Sequence, residues 1–284
     1  MTAIEDWLAA KSQGAGLGPK ATRVVEVIKT QPRLAAYAST ADLAARASVN
    51  VATVVRAAQA LGFNGWPHLR LEVRNRFLAT LTANEVLEQH SGTVTNPVVD
   101  ALRRDIANLE FTARSVDVEA IRGVAAAVSG ASKTVVVGSG SFAAPGIQLA
   151  HIASFMGLDV RLERHGGTQL ANAVAHLGSP DCLVVFNFWW QPREVAAVVR
   201  IAHANGVTIC VVTDRLSSHI AELATHVVVV ASEGVSSFPS LTPAMAVVHA
   251  ILAEIAHHGG SSLSAAVART ESAWAGMGLF DESR

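Results

Sequence analysis

The chain is predicted to be an all-α helix-turn-helix domain followed by an α/β doubly wound domain on a five-stranded parallel sheet. Three observations carry this. Residues 40–67, TADLAARASVNVATVVRAAQALGFNGWP, have the spacing of two short helices joined by a tight turn. Apolar residues recur at helical period throughout the first 90 residues. From Lys133 onward, short Val-rich runs alternate with amphipathic stretches, the rhythm of a parallel sheet covered on both faces.

Within 40–67, Ala44 sits where two helices cross and only a small side chain fits, and Ser48 falls at the tight turn. A positive φ is expected there, so Ser in place of Gly brings modest strain. Asn50 is suited to cap the second helix by accepting from the N–H of Ala52 or Thr53. That helix runs to about Leu61, and Gly62 ends it. The 3.6-residue period turns Val54, Ala57, Ala58 and Leu61 inward, beside Leu43, Ala47 and Val49. Val51, Thr53, Val55, Arg56 and Gln59 lie nearer the outer face, whose N-terminal half, starting at Asn50, would enter a DNA major groove. Arg56 and Gln59 suit base edges, and Val51 or the Thr53 methyl suits a thymine methyl. The competing reading is an ordinary helical hairpin.

The net charge of −1 hides an asymmetry. Residues 1–80 hold ten Lys and Arg against five Asp and Glu, and residues 81–284 hold twelve against eighteen. A basic head on an acidic body fits a nucleic-acid partner. Arg70, Arg74 and Arg76 follow the hairpin and suit phosphate contacts, or else lie on a solvated helix face. The N-terminal MTAIEDWLAA lacks the pattern of a signal peptide, and no apolar run reaches bilayer length, so a cytoplasmic protein with no membrane partner is expected. Cys182 and Cys210 lie in predicted strands and read as buried thiols. The 11 histidines show no ligand spacing, so no metal and no cofactor are expected.

Helices are expected at 3–12, 20–30, 40–47, 50–61, 67–79, 82–90, 98–114 and 117–129. SGTVTNP at 91–97 is the best linker. Strands are expected at 133–138, 159–163, 181–187, 207–212 and 225–230, with helices at 142–156, 167–177, 192–204, 217–223 and 241–257. The expected division is a helical DNA-binding domain over 1–90, linker and interdomain helices over 91–130, an effector-binding α/β domain over 131–258, and a helical tail over 259–284.

An open parallel sheet binds ligands at the carboxyl ends of its strands where the strand order reverses. In the order 2-1-3-4-5, that crevice is flanked by the loops after the first and third strands. Gly138-Ser139-Gly140-Ser141 offers backbone N–H groups, hydroxyls and a following helix start, a cradle for an anion such as phosphate. It also fits simple close packing of helix on strand. After the third strand come Asn187, Phe188, Trp189, Trp190, Gln191, Pro192 and Arg193. The two tryptophans suit either a ligand face or a subunit contact, and Arg193 suits an anionic group. Thr213 and Asp214 end the fourth strand and are placed at the same crevice. Ser236 and Ser237 are placed within reach of it.

The segments ATVVRAAQALGFNGWPHLR (52–70) and VVVGSGSFAAPGIQLAHIASFMG (135–157), with VVTD at 211–214, resemble the RpiR family of bacterial transcription regulators. The resemblance covers roughly residues 17–258. It implies an N-terminal DNA-binding domain joined to a sugar isomerase (SIS) domain. It further implies a homodimer or homotetramer, an operator of two-fold symmetry, and a sugar-phosphate effector that alters DNA affinity. Ser48 and Ala57 depart from the family's Gly and Phe. The loop 187–194 departs further, lacking the Ser and Gly with which SIS domains hold phosphate, so Ser139 and Ser141 are the positions that match.

The expectation is therefore a ligand-responsive regulator and not an enzyme. A dinucleotide-binding redox sensor is the alternative, since Gly138-x-Gly140-x-x-Ala143 fits G-x-G-x-x-A and Glu163 ends the second strand where a ribose-binding carboxylate would sit. A sugar-phosphate isomerase would need a general base, for which Glu163, His165 and Glu233 are the candidates.

Overall fold

The computed structural model describes residues 3–92, 94–216 and 218–279. The remaining positions, which the expected N-terminal domain, the 91–97 linker, the 217–223 helix and the 259–284 tail include, lie outside the described residues. Two compact units result. One comprises Met1–Arg104 with Glu233–Pro239, and the other Asp105–Ser232 with Ser240–Arg284. The division thus falls later than the 91–97 linker, and a short segment far along the chain joins the first unit.

The first unit is helical: α1 (Ala3–Ser12), α2 (Pro19–Thr30), α3 (Pro32–Tyr37), α4 (Thr40–Arg46), α5 (Val51–Ala60), α6 (Trp66–Ala79) and α7 (Ala83–Ser91). The next helix, α8 (Pro97–Ser115), is continuous across the division after Arg104. Helix α3 was not anticipated. It is six residues long and opens on Pro32, and it owes its place to the burial of Ala35 and Ala36. Helix α4 begins with a capping box, in which Asp42 N donates to Ser39 Oγ at 3.1 Å and Ser39 N donates to Asp42 Oδ2 at 3.0 Å. The core gathers Leu8, Val24, Ile28, Leu43, Val54, Ala57, Ala58, Trp66 and Leu69. Each large side chain there contributes about 1.5–3 kcal/mol on leaving water. Trp66 Nε1 donates to Ala38 O at 3.1 Å, which satisfies its polar edge inside that core.

Between α4 and α5 the chain closes a left-handed cap. Ser48 has φ 49°, and Val49 N returns to Ala44 O at 2.9 Å. Ala44 is buried at the crossing, as its size requires.

The second unit follows α8 with α9 (Val118–Gly130), β1 (Thr134–Gly138), a 3-10 turn (Gly140–Phe142), α10 (Ala143–Phe155), β2 (Val160–Glu163), α11 (Gly167–Ala175), β3 (Cys182–Asn187), α12 (Arg193–Ala204), β4 (Thr208–Thr213), α13 (His219–Glu222), β5 (His226–Val229), α14 (Thr242–His258) and α15 (Gly260–Gly276). The strands are parallel in the order β2-β1-β3-β4-β5, as predicted. Alternation sorts the two faces. Val136, Val184, Phe186, Val212 and Val228 pack with residues of α9, α10 and α14. Val135, Val137, Leu183, Val185 and Val211 pack with residues of α11, α12 and α13. Cys182 and Cys210 are buried thiols with sulfurs 3.9 Å apart. Among the described residues no helix is long and apolar enough to cross a membrane.

A left-handed backbone costs a residue with a β-carbon about 1–2 kcal/mol that glycine avoids. Ser48 is exposed, so removing its side chain opens no cavity in the core. Ser48→Gly is expected to raise unfolding stability by about 1 kcal/mol, read as a higher midpoint in urea at unchanged slope.

Candidate functional site

In the helical unit, α5 is held by its cap and its buried face. Asn50 Oδ1 accepts from Thr53 N at 2.8 Å and from Thr53 Oγ1 at 2.7 Å. Val54, Ala57 and Ala58 are buried, and Leu61 is the C-cap before Gly62 at φ 89°. The opposite face is open: Val51 is 49% exposed, and Arg56 and Gln59 are exposed. Beside it runs a groove of about 540 Å³ lined by Arg56, Lys20 and the Gly18–Pro19 start of α2. Two positive side chains and a helix N-terminus therefore face one open channel.

In the sheet unit, the register sets Gly138 beside Phe186 and Asn187 beside Thr213, so the ends of β1, β3 and β4 come together. Asn187 and Thr213 are buried, and neither end of the Asn187 amide has a hydrogen-bond partner among the described residues. A buried amide left in this way costs about 1–3 kcal/mol, which a bound polar group would recover. Ser139 is half-buried, Ser141 is exposed, and Gly140 takes φ 57° at the turn. Phe142 meets Phe188 edge-to-face at 5.5 Å, joining the first-strand turn to the third-strand loop.

Beneath that loop lies Asp214, fully buried at the end of β4. It accepts from Trp189 N at 3.0 Å and from Ser232 Oγ at 2.9 Å, and Arg215 Nε stands 3.6 Å away. Burial pushes its carboxyl pKa upward, against the pull of Arg215 and these donors. Arg215 also donates to the Trp189 carbonyl. Both backbone groups of Trp189 are thereby held while its φ stands at 46°. A strained tryptophan fixed on both sides shapes the crevice rather than swinging in it.

Comparison with known proteins agrees with both geometries. A model of the helix-turn-helix domain of the rpiR family matches residues 9–79. The HTH-type transcriptional regulator RpiR of Escherichia coli (strain K12) is 24% identical over 217 residues, 75% of this chain and 72% of that one. The crystal structure of the sugar isomerase domain of an RpiR transcription factor from Sphaerobacter thermophilus is 31% identical, with TM-score 0.58, and covers 61% of this chain and 97% of that one. This chain belongs to the RpiR family. The NanR protein of Vibrio vulnificus, 18% identical with TM-score 0.60 over 96% of this chain and 98% of that one, shows the same fold. The protein is accordingly a helix-turn-helix transcription regulator whose sheet unit is of the SIS type.

Several residues occupy other roles in this RpiR-family chain than their sequence positions suggested. Thr53 is buried, and its hydroxyl donates to the capping side chain of Asn50. Arg70 is half-buried and donates to Ala38 O at 3.2 Å. Its pKa is lowered by burial and by neighbouring Arg74. Arg74 pairs with Glu233 at 2.8 Å. Arg76 pairs with Glu72 at 2.9 Å and lies 4.3 Å over the ring of Trp7. All three arginines thus have partners within the helical unit. Trp189 is buried and packs on Trp190 at 5.8 Å, which removes its ring from any subunit contact. Gly138 serves close packing, since a β-carbon there would meet Phe142 O at 2.6 Å. Arg193 is exposed at the start of α12. Ser236 and Ser237 belong to the helical unit, where the His90 ring donates through Nδ1 to Ser236 O at 2.9 Å.

Glu233, offered as a general base, is the centre of that same helical cluster. Fully buried, it faces Arg74 at 2.8 Å, Arg104 at 2.5 Å and His90 at 3.6 Å. Burial alone would raise its pKa, but the two arginines and His90 outweigh it and hold the group at about 2. Lys20 and the roles of Asp214, Arg215 and Glu233 escaped the sequence reading. Only the short spacing of Lys20 behind Gly-Pro, at the start of a basic helix, was a local clue.

Because the folded pKa of Glu233 lies below that of a free glutamate near 4.3, its stabilising effect is complete above that range. It should fade as pH falls toward about 2. Glu233→Gln is expected to cost about 3 kcal/mol at neutral pH by leaving Arg74 and Arg104 short of a countercharge. The urea midpoint of the variant should also lose most of the wild type's decline between those two pH limits. An unchanged acid profile would rule the cluster out as a source of stability.

Proposed function

We propose that this regulator reads a two-fold operator with the N-terminal half of α5 and acts as a cytoplasmic homodimer or homotetramer. We further infer that a sugar phosphate or related anion at the sheet crevice shifts its DNA affinity, with no catalysis. The observation that supports the DNA side is the capped α5 whose open face presents Val51, Arg56 and Gln59 next to Lys20. Arg56 and Gln59 suit purine edges. Lys20 and the first turn of α2 suit a backbone phosphate.

On the effector side, Ser139, Gly140 and Ser141 would hold the anion at the entry to α10, with Asn187 and Thr213 taking the hydroxyls of the sugar. The third-strand loop has little left to offer an anion. Trp189 N–H already serves Asp214, Pro192 has no N–H, and the Glu194 carboxylate accepts from Gly167 N at 3.1 Å. The Vibrio vulnificus neighbour is complexed with ManNAc-6P, which fits the same ligand class. Neither alternative reading gains support. Glu163 accepts from the backbone N and ring of His165 at 2.7 and 3.2 Å, and Glu233 is engaged by arginines in the helical unit. Signal transfer would follow the chain itself. Ser232 is tied to Asp214 in the sheet unit, and the next residue, Glu233, is anchored in the helical unit. A coupling of about 1–3 kcal/mol suffices for a 5- to 150-fold change in DNA affinity.

Selection from a random duplex pool is expected to enrich a palindromic site, and failure to enrich any sequence would overturn operator reading by α5. On the selected site, Arg56→Ala should lose about 1–3 kcal/mol and relax one base position. Lys20→Ala should weaken all duplexes alike and lower the salt slope by about 0.9. In a thermal-shift screen of free sugars, sugar phosphates, acids and nucleotides, a binder at 100 times its Kd should add about 2.7 kcal/mol of stability. Asn187→Leu should abolish that gain without destabilising the apo protein. Persistence of the gain would remove Asn187 from the site.

A further inference from the structure

The start of α5 turns its polar atoms inward on the helix itself. Asn50 Oδ1 is taken by the N–H and the hydroxyl of Thr53, and Thr53 is buried. What the outward face presents over the first turn and a half is apolar: Val51 is 49% exposed, Ala52 is exposed, and Val55 is half-buried. Val55 lies four residues after Val51 and three after Ala52, so the three side chains adjoin on the helix surface. A single exposed valine needs no explanation. This patch is continuous with Arg56 and Gln59, each four residues beyond a member of it. The face therefore divides into an apolar N-terminal half and a donor-bearing half beyond. Valine is also a weaker helix former than alanine, lysine or glutamine, so local helix stability gives no reason for it at an exposed first turn.

We propose that Val51, Ala52 and Val55 read the C5-methyl group of a pyrimidine, thymine or C5-methylated cytosine, in the base pairs that face the start of α5. The inference rests on the operator reading above and assigns its first base contacts. In the major groove the C5-methyl is the apolar mark of thymine, and unmodified cytosine lacks it. An apolar side chain gains by covering that methyl and has no donor or acceptor for the neighbouring base edge. The patch thus separates thymine from cytosine without a hydrogen bond. Ala52, near the middle of the outward face, lets the helix approach closely. Val51 and Val55 branch at the β-carbon, so their methyl groups are already stiffly placed before contact. Operator affinity consequently responds to methylation of the DNA as well as to its sequence, and an added methyl at such a position strengthens binding.

Fluorescence anisotropy with the full chain, on the duplex enriched from a random pool, tests this with DNA pairs that differ by one methyl. Uracil in place of thymine, one position at a time, should weaken wild-type binding about fourfold at one or more positions, roughly 0.8 kcal/mol. With a cytosine·guanine pair at such a position, 5-methylcytosine should bind more tightly than cytosine by a similar factor. Val51→Ala keeps a good helix former at an exposed site and should bring both ratios close to one. Arg56→Ala should weaken binding while leaving both ratios as in wild type. An enriched site on which uracil equals thymine at every position would overturn methyl reading and leave operator reading by α5 standing. Methyl ratios that survive Val51→Ala, or that vanish with Arg56→Ala, would overturn the assignment to this patch. A pool that yields no enriched site would overturn operator reading and this inference together.

Discussion

A carboxylate taken out of water must be met by donors or countercharges, and this chain meets that demand at two neighbouring points of one connection. Asp214 is satisfied by Trp189 N, Ser232 Oγ and Arg215. Glu233, adjacent in sequence to Ser232, is satisfied by Arg74, Arg104 and His90. The two cases differ in sign. Desolvation wins at Asp214, whose pKa is raised, whereas positive neighbours win at Glu233, whose pKa is lowered. An isolated buried ion pair is weak support for stability, because desolvation offsets the attraction. A carboxylate surrounded by several donors is costly to disturb, and such a group fixes where its peptide can lie. The shape of the crevice loop and the attachment of segment 233–239 to the helical unit both follow from these two contacts.

What was legible in the sequence was whatever depends on local periodicity. The 3.6-residue period over 51–61 placed Val54, Ala57, Ala58 and Leu61 in the core, where they are buried. The strand order and strand limits, to within a residue or two, followed from Val-rich runs spaced by helices. The strained φ at Ser48 was legible because the turn spacing leaves no other place for it. Helix α3 was not, since six residues behind a proline give too few turns for a period to show.

The candidate sites were legible only in part, because a side chain's task depends on partners that sequence distance hides. Arg70, Arg74 and Arg76 look like phosphate contacts by proximity to the hairpin. Their partners are Ala38 O, Glu233 and Glu72, and the second of these lies 159 residues on from Arg74. Thr53 looked outward by angle, yet the helix start draws its hydroxyl to Asn50. Trp189 looked like an open aromatic, yet Asp214 and Arg215 hold its backbone and its ring is buried. In each case the rule that buried polar groups find partners overrode the surface reading.

The basic surplus of the first 80 residues therefore has to be reassigned rather than counted. Of its ten cations, Arg74 and Arg76 are in internal ion pairs, Arg70 donates to a backbone carbonyl, and Lys11 lies 6.0 Å over the ring of Phe63. Arg46 donates to Gln31 at 2.7 Å and remains exposed. Lys20, Arg23, Arg33 and Arg56 are exposed as well. Exposed cations thus lie on α2 to α5, whereas the three arginines of α6 are half-buried. In the proposed operator complex such cations would set where the duplex rests, while Arg56 and Gln59 would read base edges. On that proposal Lys20, Arg23 and Arg33 would serve attraction only, Gln59 readout only, and Arg56 both, so a substitution at Lys20 separates the first task from the second.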